Sequence, residues 1–199
     1  AQAANIWKYN KTLNRYEYHV HPYSKTNYYY LGINVIDKKR ISPTGIQQSA
    51  SQTISSYTYC STIHNDLTNT HKSGRIWVGE KFSNAVSSRS FSLAIPHAIV
   101  GSRINVRYAL ASISSANSSF AVAIGSNSQN HSYTPGYKYP YQGYSASTTA
   151  TAESKCDIDI HYSFRESMAT GYLDFIEINA TAALSLGSGQ LHFRNKENI

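Results

Sequence analysis

Period two runs through most of this chain. In "RSFSLAI" (89–95) Phe91, Leu93 and Ile95 alternate with small or polar partners, and in "RINVRYALASI" (103–113) Ile104, Val106, Tyr108 and Leu110 alternate with Arg103, Asn105, Arg107 and Ala109. The same signature returns in "SSFAVAIG" (118–125), with Phe120, Val122 and Ile124, and in "CDIDIHYS" (156–163), where Ile158, Ile160 and Tyr162 oppose Asp157, Asp159 and His161. Alternation of this length predicts half-buried strands, and these four segments are the expected core. "GYLDFIEINATAAL" (171–184) is apolar in both phases and predicts a central strand covered on each face. Upstream, "IWKYN", "RYEYHVHPY" and "NYYYLGINV" predict three short strands separated by the turns "KTLN" and "PYSKT". No segment shows a clean helical period. Ten or more short strands, each with one apolar face, predict an all-β fold: an antiparallel β-sandwich with jelly-roll-like connections.

Composition agrees with that class. Seventeen Tyr, six Phe and two Trp stand against one Met, and aromatic side chains suit a half-buried pleated surface. The 199 residues, 41% of them hydrophobic, predict a single β-sandwich domain over 1–199. Strand-like sequence close to both ends suggests a domain excised from a larger multidomain protein. No apolar run approaches the roughly 20 residues of a membrane-spanning helix, so no transmembrane segment is expected, and the opening "AQAANIWKYN" lacks the order of a signal peptide. The formal net charge of +7 raises the question of a polyanionic partner. Apart from "DKKR" (37–40) the basic residues are scattered singly, with no nucleic-acid-binding motif, so no nucleic acid is expected and a solvated basic surface near anionic glycolipid fits better.

Candidate chemistry is sparse. Cys60 and Cys156 form no CxxC pair; they are either a disulfide in an oxidising compartment or two buried free thiols. Cys60 shares a strand face with His64 but stands two pleats away, roughly 13 Å at strand rise, too far for a nucleophile and its base. His19 and His21 have the spacing of two metal ligands on one strand face, yet no third ligand lies near in sequence. Glu153, Asp157 and Asp159 read as the wet face of a strand rather than a calcium loop. Asp174 and Glu177, three apart, are expected on opposite faces and so unable to act as a glycosidase pair. These readings predict no catalytic residue, metal or cofactor.

Two regions stand out by composition. The polar connector "SPTGIQQSASQ" (42–52) is followed much later by a long stretch over 125–147, read as an irregular loop carrying Tyr133, Tyr137, Tyr139, Tyr141 and Tyr144. Those rings either contact a ligand, by stacking on sugars or anchoring a protein, or staple the loop to the sandwich. The densest stretch is "HKSGRIWVGEKF" (71–82). Gly74 is expected to supply a turn and Gly79 a bulge or close backbone approach. Arg75, Trp77 and Glu80 would then sit at one sheet end, with Arg75 able to fork onto Asp66 or Glu80. Asp66, Ser73, Gly74, Arg75, Trp77, Gly79 and Glu80 are thus either a structural lock at a strand crossing or a docking surface.

Several of these stretches, taken in order, resemble the type IX secretion sortases, a family of gingipain-related cysteine peptidases. "IWKYNKTLNRYEYHVHPYSKTNYYYL" is similar to the family's Trp-x-Tyr opening, polar hairpin and aromatic strands. "HNDLTNTHKSGRIWVGEKF" resembles its acidic segment followed by SGR-x-W-x-GE-x-F, and "GYLDFIEINATAALSLGSGQLHFR" resembles its G-Y-L-D-Y-I-E-I-N strand, bend and final strand. The likeness spans 6–194 and covers the region just ahead of the catalytic domain. It implies a non-catalytic module of a cell-surface, outer-membrane-associated enzyme that removes a C-terminal sorting signal from exported cargo and joins the new carboxyl end to anionic lipopolysaccharide. The family's catalytic Cys and His would belong to a caspase-like domain following this region. Implied partners are that peptidase domain, secreted cargo proteins, outer-membrane secretion components and anionic glycolipid. The alternative is a carbohydrate-binding β-sandwich module, which a flat exposed row of tyrosines would favour and buried tyrosines would disfavour.

Overall fold

The computed structural model describes residues 5–21, 54–70, 76–135 and 141–185, and among them every regular element is a strand. In chain order these are β1 (Asn5–Asn10), β2 (Arg15–Val20), β3 (Ser56–His64), β4 (Lys81–Phe82), β5 (Ser88–Ala94), β6 (Arg103–Ile113), β7 (Ser118–Ile124), β8 (Asn127–Tyr133), β9 (Tyr141–Thr149), β10 (Lys155–Phe164) and β11 (Thr170–Ala183). The expected strand "NYYYLGINV", the connector 42–52 and the last strand "QLHFR" lie outside the described residues.

Two sheets carry the fold, ordered β5-β10-β7-β8 and β3-β11-β6-β9, with β4 pairing on β11 beyond the end of β3. All pairings are antiparallel. Leaving β4 aside, the chain from β3 onward changes sheet at every connection except the β7–β8 hairpin. Each strand pairs with the one equally far from that hairpin: β6 with β9, β5 with β10, β3 with β11. A long hairpin rolled up in this way is a jelly roll, as the alternating pattern predicts.

The core lies between the two sheets and is built from the predicted phases. Ile104, Val106, Tyr108 and Leu110 of β6 meet Phe120, Val122 and Ile124 of β7 and Ile158, Ile160 and Tyr162 of β10, all buried. Phe120 is its aromatic centre, 4.6 Å from the Tyr162 ring and edge-on to Phe82 and Tyr133 at 5.5 and 5.8 Å. The close stacking depends on Gly171, where a Cβ would stand 2.5 Å from Phe120 Cζ. Tyr162 satisfies its buried hydroxyl on Ser112 Oγ at 2.7 Å, and Ser112 in turn reaches Ser118.

The outward phases are polar, as expected. On the four-stranded sheet Ser92, Ser90 and Ser88 of β5 bond to Asp157, Asp159 and His161 of β10 across the ladder. Asp157 and Asp159 are therefore engaged in the wet face. The outer face of the other sheet is covered by the β1–β2 hairpin, joined through the predicted turn 11–14. Asn179 of β11 holds the hairpin by both ends of its amide: Oδ1 accepts from Tyr16 N at 2.6 Å and Nδ2 donates to Tyr16 O at 2.9 Å. β11 is thus covered on both faces, which is why its sequence is apolar in both phases.

Two expectations are corrected. The described residues of 125–147 are not an irregular loop: β8 and the first part of β9 lie there, pairing on β7 and β6. Both are edge strands, so Asn, Gln and Ser replace the apolar residues that would mark a central strand. Cys60 and Cys156 are also not bridged to each other. Cys156 faces the core from β10, whereas Cys60 shares its phase with Thr62 and stands opposite Asn179 on the outer face of the other sheet. A whole sheet separates the two sulfurs.

Candidate functional site

One irregularity organises the outer face of the five-stranded sheet. The register between β11 and β6 slips between Leu173 and Phe175, leaving Asp174 as an extra residue in a bulge. Leu173 and Ile176, three apart, can therefore both face the core. The same slip puts Asp174, Phe175 and Glu177 together on the outer face, correcting the expectation that Asp174 and Glu177 oppose each other. They do not form a hydrolytic pair, because each is committed elsewhere. Glu177, with 2% of its side chain exposed, is held by two of the Arg107 nitrogens, Nε at 3.0 Å and Nη2 at 2.7 Å. The Arg107 guanidinium lies over the Phe175 ring at 4.5 Å. Burial pushes the Glu177 carboxyl above its usual range, against the pull of Arg107.

Asp174 looks the other way, toward the end of β3. Tyr141, the first residue of β9, donates to its Oδ2 at 2.7 Å, and His64 Nε2 lies 3.5 Å from its Oδ1 and 3.4 Å from Asp66 Oδ1. His64 therefore sits between two carboxylates, and its imidazole is held protonated to a higher pH than usual, chiefly by its bond to Asp174, against the effect of burial. With Val20, Ile76 and Trp77 these groups line a cavity of about 310 Å³. Trp77 is 42% exposed and Ile76 40%.

The glycine-rich segment has a clear backbone role from Val78 onward. Val78 exchanges hydrogen bonds with Thr68 on one side, while Gly79 N donates to Leu173 O at 2.8 Å and Glu80 O accepts from Leu173 N at 2.9 Å on the other. A Cβ at Gly79 would meet Asn65 O at 2.8 Å and Leu173 O at 3.0 Å, both backbone atoms. This is the close approach expected of Gly79. Gly79→Ala must push two chain segments apart and is expected to destabilise by about 1–3 kcal/mol; an unchanged urea midpoint would refute the crossing role. Asp66 faces His64, and Glu80 Oε1 accepts from Asn65 Nδ2 at 2.6 Å; the expected fork from Arg75 falls outside the described residues. Ser73, Gly74 and Arg75 lie outside the described residues. The exposure of Trp77 excludes it from a buried lock.

The tyrosines divide. Tyr133, 4% exposed, ends β8 in the core, and its hydroxyl accepts a hydrogen bond from the Tyr144 hydroxyl at 3.0 Å. Tyr144 is half-buried and stacked on His131 at 3.5 Å. Tyr141 is exposed along one side but committed to Asp174, and Tyr137 and Tyr139 lie outside the described residues. The described tyrosines make no flat outward row. The pocket itself was missed from the sequence, because its members come from β2, β3, β9, β11, the segment after β3 and the segment before Val78.

No family model and no curated protein matches the chain by sequence. Among solved structures, the crystal structure of dimeric latent PorU from Porphyromonas gingivalis aligns over 100% of this chain and 20% of its own, at a TM-score of 0.69 and 18% identity. The chain thus shares the fold of that part of PorU and spans about a fifth of its length. The CBM36-1 domain of a multidomain xylanase from the hindgut metagenome of Trinervitermes trinervoides aligns over 67% of this chain and 99% of its own, at a TM-score of 0.40 and 10% identity. A carbohydrate-binding module CBM36 in complex with calcium and xylotriose aligns over 60% and 87%, at 0.35 and 20%. Similarities as low as those two say nothing about what this chain binds.

Proposed function

We propose that this chain is a non-catalytic β-sandwich module of a type IX secretion sortase, placed at the cell surface beside the outer membrane, where it scaffolds the peptidase domain that follows it. The observation that carries this reading is the alignment of the whole chain, end to end, with one part of PorU. The ordered motifs from "IWKYN" to "QLHFR" support it. Contact with secreted cargo, outer-membrane secretion components or anionic glycolipid belongs to the same proposal.

The cysteines support a non-catalytic role. Burial pushes the Cys156 thiol up to about 11, so it stays protonated and unreactive at neutral pH. Cys60 is embedded in β3 and separated from His64 by two pleats of unbroken strand. The purified chain is expected to leave sorting-signal peptides intact; thiol-dependent cleavage abolished by Cys60→Ala would overturn the assignment. The reading frame beyond Ile199 supplies a second test. A caspase-like α/β pattern with a later His and Cys is expected there, and a stop codon or an unrelated glycosidase would remove the sortase reading.

A further inference from the structure

The cavity beside the Asp174 bulge is chemically mixed in a way that selects its occupant. Its lining combines an apolar part, Trp77, Ile76 and Val20, with a polar part, Asp66, Asp174, His64 and Tyr141. Among the described lining residues the two carboxylates give a formal charge of −1 when His64 is protonated and −2 when it is neutral. On a chain of net charge +7 these described groups are locally acidic. Its volume of about 310 Å³ is at the small end of ligand pockets, enough for one long side chain.

A cation with a planar, weakly hydrated head suits both parts of the lining at once. A guanidinium can fork onto carboxylate oxygens while its face or stem lies against an indole, whereas an ammonium offers a point charge and no plane. A neutral sugar would leave the charge of the two carboxylates unanswered, which a guanidinium does not. We infer that this cavity is a docking pocket for an arginine side chain of a polypeptide partner, with Asp66 and Asp174 supplying the carboxylates and Trp77 the indole. The pocket's chemistry is independent of the sortase reading.

The geometry builds in a competitor. His64 reaches the same two carboxylates that the guanidinium needs, from the end of β3. Among the described residues the groups facing it are Asp66 from the following segment, Asp174 and more distantly Glu177 from β11, and the Phe175 ring at 6.0 Å. Glu177 is already neutralised by Arg107, so the contest is over Asp66 and Asp174. A protonated imidazole repels the incoming cation and occupies its acceptors. Binding therefore strengthens as pH rises and His64 loses its proton.

A capped Gly-Gly-Arg-Gly-Gly peptide, titrated into the 199-residue chain and followed by indole fluorescence and amide chemical shifts, tests this directly. Perturbation centred on Trp77 and His64 is expected, with affinity about fivefold or more higher at pH 8 than at pH 5.5. Replacing arginine by citrulline, which keeps the shape and loses the charge, is expected to weaken binding about tenfold or more. Trp77→Ala is expected to do the same without moving the melting midpoint, since the ring is exposed. Asp66→Asn offers a second lesion at a carboxylate outside the buried sheet, should Asp174→Asn fail to fold. No binding, equal binding of the citrulline peptide, pH-independent affinity, or wild-type affinity in Trp77→Ala would each overturn the pocket assignment. None of these outcomes bears on the sortase reading, which stands or falls on the downstream frame and the peptidase assay.

Discussion

Phe120→Ala is expected to destabilise the chain by about 3–5 kcal/mol and to lower its melting midpoint by roughly 6–20 °C. The ring is fully buried and touches both sheets: Tyr162 and Tyr133 on its own side, Phe82 at the end of β4 on the other. Truncation loses the transfer free energy of the ring and its edge-to-face contacts. It also opens a void that the surroundings cannot close, because Phe82 and Tyr162 are themselves fixed in strands. Tyr162 is tied further by its hydroxyl to Ser112. Phe120→Leu, which refills much of the volume, is expected to recover part of the loss. Met168→Ala, at an 87% exposed position, is the matching control and should change stability by no more than about 0.5 kcal/mol. A small effect of Phe120→Ala would mean that the two sheets are not packed through this ring.

The core was legible because alternation is a direct record of which phase meets the opposite sheet. Ile104, Val106, Tyr108 and Leu110, or Ile158, Ile160 and Tyr162, needed no other information. Legibility fails where one phase carries no contrast. β8 and β9 are edge strands written in Ser, Asn, Gln and Tyr, so their polar composition reads as loop although their backbones are fully paired on one side. The bulge at Asp174 left no mark because β11 is covered on both faces and apolar in both phases, so a slip of one residue changes nothing in the pattern. The cysteines did carry a usable signal. Cys156 shares its phase with Ile158 and Ile160, whereas Cys60 shares its phase with Thr58, Thr62 and His64, which already argues that the two face different surroundings. The pocket had no such signal. His64, Trp77, Tyr141 and Asp174 span 110 residues, and only the rolled topology, together with the bulge, brings them to one sheet end.

Arg107→Ala is expected to cost about 3–5 kcal/mol at neutral pH, because it strands a carboxylate that is almost wholly enclosed. Glu177 lies between the sheet and the β1–β2 hairpin, and both Arg107 bonds to it are short. The pH dependence identifies the cause. Burial already raises the Glu177 carboxyl above its usual range with Arg107 present, and removing the guanidinium takes away the main opposing influence. A carboxyl whose folded-state value lies above its unfolded one destabilises the fold when ionised. That penalty is full above the folded value and fades as pH falls through it, since the neutral acid is tolerated inside. The deficit of Arg107→Ala relative to the parent should therefore shrink as pH falls from 7 toward about 5. Adding Glu177→Gln should recover much of the loss at pH 7 by removing the charge while keeping the shape. Arg107 also lies over the Phe175 ring, so a part of the loss is packing that neither acid nor the second substitution restores. Urea titrations of the two variants and the parent at pH 5 and pH 7 separate these parts. A deficit that is independent of pH and unrelieved by Glu177→Gln would assign the whole effect to packing on Phe175 and dismiss the buried charge as its source.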